Sequence, residues 1–101
     1  MRTHEYEAAI EKFDQSVMTA WYYLLGLTGE LGEVAEPMKK SYRRTGTYHP
    51  EDYRETMIGE LGDVLWYLTR MANLHQITLE DLMEFNVDKL TKRYSEGRVT
   101  G

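Results

Sequence analysis

A chain of 101 residues, 42% hydrophobic and 29% charged, has the makings of one small globular domain and not of a disordered or fibrous chain. Its formal charge of -5, from 12 basic against 17 acidic residues, argues against a protein that coats nucleic acid polymers. Zero cysteines exclude disulfides, thiol catalysis and thiolate metal sites. No run approaches the roughly 18 apolar residues of a membrane span, and the opening MRTHEYEAAIEKFD carries acids where a signal peptide would be apolar. No membrane association is expected. The lack of cysteine fits a reducing compartment, so the expected location is cytoplasmic.

Period-2 alternation is missing and apolar residues recur at three and four, which predicts an all-α chain of four helices. The first, about Thr3 to Met18, is marked by Tyr6, Ala9, Ile10, Phe13 and Val17, with Glu5, Glu7 and Glu11 on a solvated face. The second, about Thr19 to Tyr42, carries the stripe Trp21, Leu24, Thr28, Leu31, Ala35, Met38, widened by Leu27 and Val34. Pro37 lacks the N–H that would bond the Glu33 carbonyl and predicts a kink or local break. Ser41 to His49 reads as a loop. Pro50 suits the first turn of a third helix, about Pro50 to His75, whose face is marked by Met57, Ile58, Leu61, Val64, Leu65, Leu68 and Met71. Thr78 with Asp81 forms a capping-box variant opening a fourth, about Thr78 to Tyr94, and the tail from Ser95 frays. Short connections favour a small antiparallel four-helix bundle forming a single domain over 1–101, with a core thin enough that a partner subunit is expected.

The most informative feature is an echo: residues 29–34 read GELGEV and residues 59–64 read GELGDV. Glu30 lies one turn from Leu27 and Val34, and Glu60 one turn from Met57 and Val64, so both acids sit on or beside apolar stripes. Glu33 and Asp63 flank them. If the two helices pair, four carboxylates converge, and their mutual repulsion and desolvation call for a cation. All-oxygen ligands suit magnesium, with manganese a possible substitute. Glu36, one turn after Glu33, reads more readily as a solvated acid than as a fifth ligand.

Gly29, Gly32, Gly59 and Gly62 fall inside the helices, each costing about 0.5–1 kcal/mol against alanine. Close approach of the two helices, or room for a bulky ligand beside the acids, accounts for them, and close approach is favoured over helix ends at these points. Lys39, Lys40, Arg43 and Arg44 complement the helix C-terminus, and some of them could meet phosphate oxygens. Asn86, Lys89 and Arg93 make a donor ridge on the fourth helix, with Asn86 interrupting the Leu82 to Leu90 stripe. Aromatic residues crowd the acidic blocks (Trp21, Tyr22, Tyr23, Trp66, Tyr67), and packing accounts for most of them. His4, His49 and His75 share no ligand spacing, and no dinucleotide or P-loop glycine motif occurs.

Glu30-x-x-Glu33 in LTGELGEVAE, Glu60-x-x-Asp63 in IGELGDVLWYL and the trailing NVDKLTKRY resemble the MazG-like all-α nucleoside triphosphate pyrophosphohydrolases over roughly residues 17 to 94. The resemblance implies a magnesium-dependent enzyme that splits a nucleoside triphosphate between its α and β phosphates, giving monophosphate and pyrophosphate. It places Glu30, Glu33, Glu60 and Asp63 at metal-binding positions, and Lys89 and Arg93, with Asn86 beside them, near the phosphates. It also implies a homodimer or homotetramer. Glu33 is the acid favoured to orient or deprotonate water, with Glu60 beside it as a catalytic carboxylate. Pro37 departs from the family pattern and leaves the placement of Lys39 and Lys40 open. The competing readings are a metal-dependent module that binds a nucleotide without cleaving it, and a structural or regulatory helical oligomer.

Overall fold

The computed structural model describes residues 1–14 and 19–97. Among them every regular element is helical: α1 (Thr3–Glu11), α2 (Ala20–Thr45), α3 (Arg54–Leu74) and α4 (Leu79–Ser95), with a 3-10 turn, Pro50–Tyr53, leading into α3. The fold is all-α, four-helix and sheet-free over the described residues. It divides into two compact units, one of Met1–Gln15 with Ala72–Gly101 and one of Ser16–Met71.

In the first unit α1 packs against α4. The first helix stops at Glu11, short of the Met18 expected from its stripe, and the chain turns at Lys12 and Phe13. Val17 lies outside the described residues. Phe13 stands exposed. Glu7 also departs from expectation. It is no solvated acid: its carboxylate accepts from Asn73 Nδ2 at 2.6 Å and from the Leu79 backbone N–H at 3.3 Å, fastening α1 to the start of α4. Thr78 and Asp81 cap α4 reciprocally as the sequence predicts, at 3.0 and 3.1 Å. Ile10, Ala72 and Leu79 form the small buried core of this unit.

In the second unit α2 and the start of α3 make an antiparallel hairpin. Tyr23 meets Trp66 and Tyr22 meets Tyr67 near one end, while Glu30 faces Glu60 and Asp63 further along. α2 runs unbroken through Pro37 to Thr45, so no break occurs at the proline, and the helix takes in residues 41–45 of the expected loop. The Glu33 carbonyl loses its helical partner, but Glu33 is exposed and water can replace it. The helix ends on Gly46, whose left-handed φ of 77° lets its N–H reach the Tyr42 carbonyl at 2.8 Å. Ser41 and Thr45 hydroxyls tie the same end down by donating to the Thr47 carbonyl. Tyr48 stacks on Tyr53 across the connection, 4.8 Å between centroids.

Only part of each expected apolar face lies between the helices of the hairpin. Trp21, Leu24, Thr28, Leu31 and Ala35 are exposed on α2, and Ile58, Leu61, Leu65 and Leu68 on α3. The line between the helices is carried by Tyr23, Gly26, Leu27, Glu30 and Val34 against Met57, Glu60, Val64 and Tyr67, all buried or half-buried.

Removing Glu7 leaves a part-buried amide and a helix-start N–H without their carboxylate. We expect Glu7→Ala to lose about 1–3 kcal/mol in urea unfolding, against under about 0.5 kcal/mol for Glu11→Ala on the exposed side. Equal losses would remove Glu7 from the structural role given to it here.

Candidate metal centre

Glu30 comes from the middle of α2 and Glu60 and Asp63 from the middle of α3, where unbroken helix fixes each backbone position. One carboxylate oxygen from each of the three lies within 4.8 Å of the others. Glu30 and Glu60 are half-buried and Asp63 is exposed. Burial is the main cause that raises the Glu30 carboxyl above its ordinary value, and the negative charges of Asp63, Glu60 and Glu33 raise it further. Three oxygens converging from two rigid helices suit a hard divalent cation with open positions left for water or phosphate.

Glu33, the fourth acid of the echo, is exposed and does not join the converging trio, although its charge acts on Glu30. The cluster is therefore one of three carboxylates, not four. Glu36 pairs with Lys40 at 4.0 Å along α2, an exposed contact of little energetic weight. Lys39 is likewise exposed. Asn86, Lys89 and Arg93 ride on α4, in the first unit. Asn86 is exposed, so water satisfies the amide that its place in the stripe made conspicuous. With Ile77, Asp81, Leu82 and Phe85, Asn86 and Lys89 line a cleft of about 440 Å³. Arg93 is half-buried.

Close approach at Gly29, Gly32, Gly59 and Gly62 is not what the structure contains. A Cβ built on any of them meets nothing within 4 Å. Large side chains between the helices hold the backbones apart, and these glycines leave bare backbone beside the acids. The contact falls at Gly26, which composition did not single out. A Cβ there would stand 2.5 Å from Cδ1 and Cζ of Tyr67. Its spacing of three before Gly29 was the available signal. Burial and a hydrogen bond with Tyr22 raise the Tyr67 phenol above its usual range, with Glu30 and Asp63 adding to the shift, so Tyr67 stays a neutral donor.

Residues 18–97 match the MazG nucleotide pyrophosphohydrolase domain. The chain belongs to the MazG family. Gene 37 protein of Mycobacterium phage L5 is 35% identical to it over 80 residues, covering 79% of this chain and 70% of the phage protein. An uncharacterized protein of Bacillus subtilis strain 168, YvdC, is 35% identical over 43 residues, 43% of this chain and 41% of its own length. No solved structure matches. A MazG domain is a hydrolase domain for nucleotides, and the acidic trio falls on both halves of the echo within the matched region. No helix among the described residues is long and apolar enough to cross a membrane.

A carboxyl raised in the folded state favours the fold most where it is protonated, and that advantage is lost as pH rises through its folded value. With divalent ions chelated, Glu30→Gln should therefore melt above wild type at pH 7, the difference shrinking as pH falls. The same variant should lose most of the thermal stabilisation that magnesium or manganese gives wild type. A Glu30→Gln protein that kept that stabilisation would show that Glu30 is no ligand.

Proposed function

We propose that the chain hydrolyses a nucleoside triphosphate at the α–β phosphate bond, releasing monophosphate and pyrophosphate, with magnesium as the ion and manganese as a substitute. The observation that carries this reading is the convergence of Glu30, Glu60 and Asp63 in a MazG-family chain. When bound, a divalent ion supplies charge for the phosphate oxygens and raises the acidity of a water nucleophile. Glu30, Glu60 and Asp63 would hold it, with Glu33 completing the set or serving beside it. The open backbone at Gly29 and Gly59 supports a ligand seated against the acids.

In the proposed reaction water adds to the α phosphorus, the bond from that phosphorus to the bridging oxygen breaks, and pyrophosphate leaves. Glu33 takes the proton from the attacking water, and Glu60 orients it. On the resemblance of NVDKLTKRY to the family, Asn86, Lys89 and Arg93 are assigned to phosphate contacts. Lys39 and Lys40 are assigned to the outer phosphates. Lys40 already has a partner in Glu36, and that contact is weak enough to exchange.

We also propose that the protein works as a homo-oligomer, a dimer or a tetramer, built through the apolar side of the hairpin. The exposed stripes on α2 and α3 each lie roughly 100–120° round from the line facing the other helix, in the same rotational sense. On antiparallel helices that brings both to one side. Leu31 is 52% exposed there and Ile58 57%. The six leucine and isoleucine side chains, Leu24, Leu31, Ile58, Leu61, Leu65 and Leu68, are all exposed, an apolar strip of the kind a dimer face buries at its centre. A second copy is the occupant favoured, because both stripes keep three-and-four spacing and a two-fold axis would pair like with like.

The test is hydrolysis of standard ribo- and deoxynucleoside triphosphates, and of several modified ones, with and without magnesium, products being resolved by chromatography. Monophosphate with pyrophosphate, formed only with metal, is expected. Glu60→Gln and Asp63→Asn should each cost roughly a hundredfold or more in kcat, and Lys89→Ala should raise KM without unfolding the chain. Nucleotide binding without turnover would replace the enzyme by a sequestering module, and neither binding nor a metal effect would leave a structural oligomer. By light scattering, Leu61→Glu with Leu65→Glu should yield monomer from an oligomeric wild type. Unchanged mass in the double variant would move the interface elsewhere.

A further inference from the structure

We propose that Tyr67, seated on Gly26, is the positioning residue of the divalent-ion site: its ring sets the spacing of α2 and α3 at which Glu30, Glu60 and Asp63 converge. This rests on the metal reading above and adds two residues to it that carry no ligand atom. Gly26 stands one turn before Glu30, and Tyr67 one turn after Asp63. In the antiparallel hairpin the ring therefore bears on the α2 backbone one turn from the carboxylates on both helices.

The seat is specific. Of the helical glycines Gly26, Gly29, Gly32, Gly59 and Gly62, Gly26 alone has a neighbour where a Cβ would go, and that neighbour is the Tyr67 ring. The ring cannot swing freely aside. Trp66 meets it edge-on with centroids 4.9 Å apart, and Tyr22 lies across it at 6.3 Å. A side chain at position 26 must displace this braced ring or push the helices apart.

The acids make the spacing matter. Three carboxylates within 4.8 Å of one another repel, so nothing in the cluster itself holds the helices at that separation. Metal-ligand distances tolerate only about 0.2 Å, and disturbing a residue that orients ligands typically costs about 10–100-fold in metal affinity. Glycine is unfavourable inside a helix, and at position 26 its missing Cβ leaves the room that the Tyr67 ring occupies.

The decisive experiment measures manganese affinity of the full chain by the electron paramagnetic resonance of free ion, with helical content followed by circular dichroism. Gly26→Ala should weaken binding about tenfold or more at unchanged helicity. Tyr67→Ala, which only removes atoms, should do the same, and decides the matter if Gly26→Ala fails to fold. Tyr67→Phe keeps the spacer and should bind as wild type does. Wild-type affinity in both Gly26→Ala and Tyr67→Ala would overturn the proposal. So would a Tyr67→Phe loss as large as that of Tyr67→Ala, which would assign the effect to the hydroxyl. Failure of wild type to bind manganese would overturn the metal reading itself, and it would show before any variant is made.

Discussion

Everything in the second unit follows from like charges placed between two helices. Glu30 and Glu60 occupy positions on the facing line of the hairpin where an apolar side chain would stabilise the fold. Asp63 brings a third charge to the same point. Repulsion and partial burial both work against pairing, and the raised Glu30 carboxyl reports that opposition. The hairpin answers with contacts to either side of the acids. Aromatic rings pack at one end (Tyr22, Tyr23, Trp66, Tyr67), and at the other a capped turn closes α2 on Gly46 with Tyr48 against Tyr53. A site of this design suits a cation, because a bound ion would offset the repulsion among the three carboxylates.

The helical character, the pairing of the two acidic blocks and the cap at Thr78 were legible in the sequence, because each depends on local spacing. Where the reading failed, the missing information was about neighbours. Periodicity identified Trp21, Leu24, Leu31 and Ile58, Leu61, Leu65 as apolar stripes, but cannot say whether a stripe meets its own chain or another surface. Pro37 was weighed as a breaker from its own chemistry alone. The exposed Glu33 carbonyl that makes the proline tolerable is a matter of environment. Glu7 looked like any solvated acid, since its partners Asn73 and Leu79 lie far along the chain.

The site shows the same division. The echo located Glu30, Glu60 and Asp63, yet it equated Glu33 with Asp63 because both end an identical tetrapeptide frame. The structure does not treat the two alike: Asp63 converges with Glu30 and Glu60, while Glu33 stands outside the trio. A repeat in sequence thus becomes an asymmetric trio in space, with Glu33 at its edge and exposed.

The glycines carry that reasoning one step further. Four of them belong to the echo and share its frame, and none of the four touches the opposite helix. Gly26 stands outside the frame and takes the contact. If glycine were present to bring backbones together, the repeated positions should have shown it. Instead the repeated glycines strip side chains from the backbone around the acids, and a single unrepeated glycine receives the ring next to them. Clearing space for a ligand and fixing helix separation are different tasks, and the chain assigns them to different glycines.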